Sequence, residues 1–160
     1  MKIIQAQLEH MDVVRVLFRE YQLGIDAECC FQGFEEELAS LPGDYAPPKG
    51  AIYLAYDKAQ AIACVAIRPR KNLFEKDAEL KRLYVKKGYR RHGIGKDLFN
   101  IAMQMIKNKA YEGVVLETLP KQMQAAYSMY HDYGFVPMSN YLTNADEDVS
   151  CLRYCFKAND

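Results

Sequence analysis

Apolar residues along this chain recur at two spacings, and each spacing predicts a different kind of element. Helical spacing predicts longer helices over residues 9–22, from Ile94 to about Met105, and from Pro120 to a stop at Gly134. A shorter helix is expected to begin near Phe31. Short apolar runs between turn residues predict strands at 3–4, 51–56, 61–67, 77–85, 114–119, 135–138 and 151–156. These elements predict an α/β or α+β fold, with a mixed sheet covered by helices on both faces.

The segment from 77 to 119 has the order strand, helix, strand. Such a crossover is expected to leave its two strands parallel. Period-two alternation within the first strand predicts two faces. One face is expected to carry Glu79, Lys81, Leu83 and Val85, and the other Leu80, Arg82 and Tyr84.

Length and charge restrict the classes of protein that the chain could represent. At 160 residues we expect one domain, spanning 1–160. The 21 Lys and Arg balance the 21 Asp and Glu, which argues against a general nucleic-acid binder. The sequence has no apolar run of membrane-spanning length and no leader pattern, so we expect no membrane contact and a cytoplasmic location.

Cysteine spacing suggests neither a disulfide framework nor a metal site. The chain has five cysteines, an odd number, and Cys29 and Cys30 are adjacent. Cys151 and Cys155 are four positions apart, without a CxxC pair or a nearby histidine. We therefore expect reduced thiols and no bound metal.

The most informative segment is a basic, glycine-containing turn that connects the strand ending at Val85 to the helix starting near Ile94. The first turn of a helix presents unpaired N–H groups, which bind anions readily. Gly93 and Gly95 would let a ligand approach that backbone closely. The cationic side chains around them are Arg90, Arg91, His92 and Lys96. The segment therefore predicts a site for phosphate or pyrophosphate.

Three known phosphate-binding patterns contain glycines at comparable spacings. Gly88 and Gly93 fit the outer glycines of a P-loop, but Ile94 and Gly95 follow where Lys and Ser or Thr are required. A dinucleotide-binding fingerprint requires a third glycine where Leu98 stands. The third pattern, R-x-x-G-x-G, is satisfied by residues 90–95.

Two blocks carry a resemblance to a known family. Residues 78–85 (AELKRLYV) followed by 90–95 (RRHGIG) are similar to an acetyl-CoA-binding motif. Residues 126–135 (AYSMYHDYGF) match the pattern A-x-x-x-Y-x-x-x-G-F. Together the blocks resemble the GNAT superfamily of N-acetyltransferases. Residues 31–34 (FQGF) and 41–45 (LPGDY) are similar to a bacterial subgroup of small members.

The resemblance implies a GNAT-like fold and acetyl-CoA as cosubstrate. It implies a mostly antiparallel sheet with one parallel, splayed strand pair, opening past Val85 to admit the thioester. The backbone from Arg91 to Lys96 is expected to hold the pyrophosphate, and main-chain groups near the strand end to pair with pantetheine. The expected cofactor contacts are Leu83, Tyr84, Val85, Arg90, Arg91, His92, Gly93, Ile94, Gly95 and Lys96.

The resemblance also implies catalytic roles for two side chains. Glu79 is expected to be the general base, and the alternative interpretation is an ion pair to Lys81 or Arg82 or a solvated strand start. Glu117 is a second candidate base that strand parity alone cannot place. Tyr130 is expected to protonate the leaving thiolate, with a core tyrosine as the alternative.

Acceptor specificity is expected to come from the variable segments. The expected acceptor contacts are Phe31, Phe34, Tyr45 and Tyr141. The acidic run Glu35–Glu37 suits a cationic amine, and it equally suits a solvated helix face. The family often has Asn where this chain has Met123, and Gln122 or Gln124 could substitute for it.

These inferences combine into one main hypothesis and two alternatives. The main hypothesis is an acetyl-CoA-dependent N-acetyltransferase that acts on a small or amino-acid-like amine by direct attack in a ternary complex, possibly as a homodimer. The first alternative is a non-catalytic protein of the same fold that senses acyl-CoA or binds a partner. The second is an unrelated nucleotide-binding enzyme.

Overall fold

The computed structural model describes residues 1–70, 76–138 and 148–157. In chain order the strands and α-helices are β1 (Lys2–Gln5), α1 (Met11–Leu23), α2 (Phe34–Ala39), β2 (Ala51–Asp57), β3 (Gln60–Pro69), β4 (Asp77–Val85), α3 (Ile94–Asn108), β5 (Gly113–Thr118), α4 (Gln124–Tyr133), β6 (Val136–Met138) and β7 (Ser150–Cys155). Short 3-10 turns occupy Leu8–His10, Glu28–Phe31, Gly43–Tyr45 and Lys87–Tyr89.

The described strands form one seven-stranded sheet in the order β1-β2-β3-β4-β5-β7-β6. Strands β4 and β5 are parallel, and the other neighbouring pairs are antiparallel. This arrangement confirms the mixed, mostly antiparallel sheet and the parallel pair joined by a helical crossover.

Two hydrophobic cores lie on opposite faces of the sheet. On one face, Leu98 and Phe99 of α3 and Tyr130 of α4 pack against Val65 and Leu80. The cluster on the other face joins α1 and α2 to the sheet through Val14, Leu17, Phe18, Phe34, Leu38, Ile52, Leu54 and Cys64. Helices therefore cover both faces, as expected.

The start of α4 differs from the sequence prediction. The helix begins at Gln124 rather than at Pro120, and ends at Gly134 (φ +118°) as predicted. The preceding segment is held by tertiary contacts, because the Gln122 side chain accepts from the Asp26 N–H and donates to the Asp26 carbonyl, both at 3.0 Å. This side chain therefore links the chain after α1 to the chain before α4.

A bulge in β4 makes the predicted alternation of faces wrong beyond Lys81. Tyr84 lies opposite Cys64 and Lys81 opposite Ala66, so the register shifts between these positions. Within the bulge Arg82 has a φ of +61°, a value uncommon for a residue with a side chain. An extra residue reverses the side-chain phase. Leu83 and Val85 consequently join Ala78 and Leu80 on the α3 face, and Glu79 and Lys81 lie on the α1 face.

Candidate active site

Strands β4 and β5 separate part-way along their length. Their pairing runs through Asp77–Gly113 and Ala78–Val114 and ends at Glu79–Val115. Because β4 continues to Val85 and β5 to Thr118, the two strands diverge beyond the last pair. We call this separation the fork. The predicted opening past Val85 is wrong in position, since the fork begins directly after Glu79.

The fork leaves one edge of β4 available to a ligand. From Leu80 to Val85 the strand pairs with β3 on one side and, among the described residues, with no strand on the other. Unpaired backbone N–H and C=O groups at a strand edge bind extended chains by adding a pseudo-strand. An extended amide-containing ligand fits this edge.

The basic turn, residues 86–93, connects the fork to the start of α3. The Arg90 guanidinium donates to the Val85 carbonyl at 2.8 Å and so closes the end of β4. Arg91 and Gly93 both have left-handed backbone, with φ of +66° and +81°. Gly93 is the N-cap of α3 and provides no side-chain hydrogen bond to the helix. The first N–H groups of α3 are therefore left without a side-chain cap.

Space and charge at this turn fit an anion. A Cβ at Gly93 would meet no atom within 4 Å, and a Cβ at Gly95 would lie 3.6 Å from Val85 Cγ2. Arg91 and Lys96 are exposed beside the turn. Uncapped N–H groups, the helix dipole and exposed cations together attract phosphate groups. The structure thus brings the ten predicted cofactor-contact residues to one end of β4.

A small cavity of about 30 Å³ lies at the fork. Its lining includes Tyr21, Cys30, Glu79, Lys81, Glu117 and Thr118. Residues from α1, β4 and β5 therefore meet there. Both candidate bases line the same cavity, which settles the position of Glu117 that strand parity left open.

Glu79 is buried, at 4% exposure, and carries two ion pairs. Its Oε1 lies 2.7 Å from Arg68 Nη2 and 3.4 Å from Lys81 Nζ. The ion-pair interpretation is therefore correct for Lys81, with Arg68 as a further partner. The Glu79 carboxylate thus contacts both cations where it lines the cavity.

Glu117 projects from β5 toward the segment after α1. The Cys30 thiol donates to Glu117 Oε2 at 3.7 Å. The Thr118 hydroxyl on the same strand is buried, at 1% exposure, and has no hydrogen-bond partner among the described residues. This side of the cavity thus offers a carboxylate and a hydroxyl to a bound polar group.

Tyr130 is buried in α4, at 3% exposure. Its ring packs against Phe99 and Phe135 with centroid separations of 5.5 and 5.8 Å. Burial raises the pKa of its phenol well above the ordinary value, and the nearby Tyr21 raises it further. Tyr130 therefore keeps its proton at neutral pH, as both the core interpretation and the acid interpretation require.

Comparison with known proteins decides the family. Residues 48–137 match the model of the GNAT acetyltransferase domain. The chain belongs to the GNAT acetyltransferase family. The GNAT resemblance is thereby confirmed, and the protein is an N-acetyltransferase.

Relatives and a solved structure agree with this assignment. An uncharacterized N-acetyltransferase of Dictyostelium discoideum is 27% identical over 98% of this chain and 99% of its own length. Another, from Schizosaccharomyces pombe, is 30% identical over 91% of this chain and 88% of its own. The crystal structure of the PaiA N-acetyltransferase from Thermoplasma acidophilum, in complex with coenzyme A, superposes with a TM-score of 0.71. It is 20% identical, over 98% of this chain and all of that one.

The residues predicted to contact the acceptor of this GNAT protein lie in different environments. Phe34 and Tyr45 are buried in the α1 face core, each at 2% exposure, whereas Phe31 is half-buried. These three are not among the described residues that line the fork cavity. Tyr141 lies outside the described residues. Their predicted contact with the acceptor stays a prediction.

Arg82 links several segments beside the GNAT site, a role that the sequence pattern did not predict. This buried guanidinium, at 4% exposure, donates to the two Glu37 carboxylate oxygens at 3.0 and 3.2 Å. It also donates to the Cys30 carbonyl at 3.3 Å and lies over the Phe31 and Phe34 rings. Arg82 therefore ties the segment around α2 to the bulge of β4. No local signal separated Arg82 from the other charged residues of β4, which are Asp77, Glu79 and Lys81.

Two residues of the acidic run Glu35–Glu37 lie in different environments. Glu35 is exposed and forms an ion pair with Arg19 at 2.7 Å. Glu37, in contrast, points inward, accepts from Arg82 and also accepts from the Tyr45 hydroxyl at 3.0 Å. The solvated-face interpretation is therefore correct for Glu35 and wrong for Glu37.

The described part of the GNAT chain has neither a metal cluster nor a membrane-spanning helix. Residues 1–70, 76–138 and 148–157 contain no cluster of three His, Cys, Asp or Glu placed to hold a metal. None of the helices in those ranges is long and apolar enough to span a bilayer. The cytoplasmic location and the homodimer stay predictions.

Proposed function

We propose that this GNAT protein transfers the acetyl group of acetyl-CoA to the amine of a small or amino-acid-like acceptor, by direct attack in a ternary complex. The observation that carries the proposal is the fork, whose open β4 edge ends at Val85, next to Gly95 at the uncapped start of α3. An anion site and an extended-ligand edge thus lie end to end. Family membership supports acetyl transfer, and the coenzyme A bound in the Thermoplasma PaiA relative supports the choice of cosubstrate.

The chain would hold acetyl-CoA with backbone groups at both places. The N–H groups of residues 91–96 would bind the diphosphate, aided by Arg91 and Lys96. Main-chain groups between Leu83 and Val85 would pair with the pantetheine amides. Bound in this way, acetyl-CoA supplies an activated thioester. A backbone N–H of the open edge, such as that of Val85, would stabilise the charge that develops on the carbonyl oxygen.

An amine acceptor must lose a proton before it attacks. A lysine-type amine with a pKa near 10.4 costs about 4–5 kcal/mol to present neutral at pH 7, whereas an α-amine near 8 costs about 1–1.5 kcal/mol. Glu79 and Glu117 both line the cavity and can accept this proton. We assign the base role to Glu79, because it lies at the origin of the fork, next to the open edge of β4.

The departing thiolate needs a proton. Tyr130 keeps its proton because burial raises the pKa of its phenol. A phenol at its ordinary pKa of about 10 transfers a proton to a thiolate of about 8.5 only uphill, by roughly 2 kcal/mol, and the burial of Tyr130 increases this cost. The expected contribution of Tyr130 is therefore modest.

The test is incubation with acetyl-CoA and a mixture of amines, followed by mass spectrometry of the products and measurement of thiol release. We expect thiol release that depends on an amine. Acetyl-CoA binding without any acetylated product across a broad panel would contradict the enzyme proposal and favour an acyl-CoA sensor.

Glu79→Gln and Glu117→Gln form a matched pair that tests the base. We expect Glu79→Gln to lower turnover of a lysine-like amine by about 100-fold, within the range for general-base catalysis, and to affect an α-amine less. Glu117→Gln is expected to have the smaller effect. The reverse order would move the base role to Glu117.

A further inference from the structure

Lys81 is a primary amine among the residues that line the fork cavity. It lies on β4 two positions after Glu79, the last residue paired with β5. Its side chain is 17% exposed and lines the cavity together with Glu79 and Glu117. Most lysine side chains extend into water, so an amine enclosed at this point needs an explanation.

Lys81 contacts Glu79 in the way that an acceptor amine would contact its general base. Lys81 Nζ lies 3.4 Å from Glu79 Oε1, the carboxylate assigned above as the general base. An acceptor ammonium would have to reach the same carboxylate before it attacks. Glu79 also carries Arg68 at 2.7 Å, so its negative charge is shared between two cations.

The surroundings of Lys81 make its ammonium easier to deprotonate than that of an exposed lysine. Burial lowers the pKa of its amine, and the cations Arg82 and Arg68 lower it further, while Glu79 and Glu117 oppose the shift. The net direction is downward. Lys81 therefore needs less free energy than an exposed lysine to become an attacking amine.

We propose that Lys81 is an internal acetyl acceptor, so that the protein acetylates its own Lys81 Nζ when acetyl-CoA is bound and no other amine occupies the cavity. The inference rests on the proposed function, because it requires the thioester at the fork. It assigns a modification site within the cavity that the external acceptor would use.

The step balances without a further reactant. The Lys81 ammonium gives one proton to Glu79, and its nitrogen then forms a bond to the thioester carbonyl carbon. The carbon–sulfur bond breaks, and the thiolate leaves with a proton from Tyr130, which regains one from the amide nitrogen. The products are an amide on Lys81 and free coenzyme A, with the Glu79 proton released to solvent.

Acetylation of Lys81 would change the site in two ways. The neutral amide would remove one of the two cations that face Glu79. Its added atoms would also occupy the small cavity. The Thr118 hydroxyl, which has no hydrogen-bond partner within the described ranges, can donate there to the new carbonyl. The modified protein is therefore expected to exclude external amines and to transfer acetyl groups slowly.

The experiment incubates the full-length protein with acetyl-CoA and no amine, then maps modified peptides by mass spectrometry over time. Lys76 is the internal reference, because its side chain is 77% exposed. We expect Lys81 to gain an acetyl group at least about tenfold faster than Lys76, since it is held beside the base. The rate per molecule should not change on dilution. A rate proportional to protein concentration would overturn an internal acceptor.

Two controls separate this proposal from the function on which it rests. Lys81→Arg should remove the modification, and Gly93→Val, expected to lose acetyl-CoA, should leave Lys81 unmodified. Equal modification of Lys81 in Gly93→Val would overturn the proposal, as it would show uncatalysed chemistry. An unmodified Lys81 in a protein that binds acetyl-CoA and acetylates an external amine overturns the self-acetylation alone. Failure to bind acetyl-CoA overturns both.

Discussion

The two halves of β4 differ in what lies beside them. The first half, Asp77–Glu79, is paired on both sides, with β3 and with β5. The second half, Leu80–Val85, is paired only with β3 among the strands that the structure describes, and it contains the bulge at Arg82. The closed half carries a buried ion pair, in which Asp77 accepts from Arg153 at 2.8 and 3.0 Å.

The two halves of β4 therefore have different roles, one mainly in stability and the other mainly in ligand binding. In the closed half β5 runs close to Asp77, because a Cβ added at Gly113 would lie 2.7 Å from Asp77 Oδ1. The open half provides backbone groups that the protein does not use for its own sheet. Changes at Asp77 in the closed half should therefore reduce stability, and changes at the open end should reduce ligand binding or turnover. Glu79, the last paired residue, lies at the boundary between the halves and is the proposed base.

Asp77→Ala is expected to give the largest effect. Asp77 is 1% exposed, and its removal leaves Arg153 without its partner carboxylate. We expect the free energy of unfolding to fall by about 3 kcal/mol, the lower end for breaking a buried pair, because Arg153 partly reaches water. Urea denaturation measures the change. Lys76→Ala, which breaks the exposed pair with Glu112, is the control and should change stability little. Equal effects of the two would contradict the comparison.

Gly93→Val acts at the open end. A β-branched residue at a φ of +81° is strained, and its side chain would project into the space proposed for the diphosphate. We expect acetyl-CoA affinity to fall by about 100-fold, equivalent to about 2.7 kcal/mol, as measured by calorimetry.

Gly88→Ala is the matched control for that variant. It lies in the same basic turn, also has no atom within 4 Å of an added Cβ, and does not have left-handed backbone. The acetyl-CoA affinity of Gly88→Ala should equal that of the parent protein. Parent-like binding by Gly93→Val would show that the diphosphate lies elsewhere.

Tyr130→Phe is expected to lower turnover by about tenfold, less than the usual range for an acid–base group, and to leave acetyl-CoA affinity unchanged. The described residues offer its hydroxyl no hydrogen bond, so the variant should fold normally. Tyr127→Phe, on the same helix and partly buried, is the control. Unchanged turnover with a good acceptor would remove Tyr130 from the acid role.

The smallest effect is expected when the turnover of the parent protein and of Tyr130→Phe is compared across pH. Burial disfavours the phenolate, so the pKa of Tyr130 lies above its ordinary value of 10.0 and the acid stays protonated through the neutral and mildly alkaline range. The turnover ratio of parent to Tyr130→Phe should therefore be constant from pH 7 to 9.5. A ratio that approaches one within this range would mean that Tyr130 ionises earlier than its burial allows.

Most of the fold could be predicted from local pattern. The bounds of β4 agree at both ends, because the strand is flanked by a charged loop and a glycine-containing turn. The basic turn and the stop of α4 at Gly134 were also predictable, since left-handed positions and helix ends favour glycine. Each of these features is determined by residues within or directly next to the element itself.

The features that the sequence pattern did not predict depend on contacts with residues far away in the chain. The bulge has its left-handed residue at Arg82, not at a glycine, and its carbonyl accepts from the buried Cys64 thiol at 3.3 Å on β3. The late start of α4 follows from the link between Gln122 and Asp26. Likewise, Glu117 reaches the cavity only because β5 lies beside β4, which strand parity does not encode.

A crystal structure with coenzyme A tests the central claim most directly. The account predicts the diphosphate within hydrogen-bond distance of the N–H groups of residues 91–96, with pantetheine paired to β4 between Leu83 and Val85. Ordered coenzyme A whose diphosphate lies away from this turn, or whose pantetheine does not enter the fork, would contradict it.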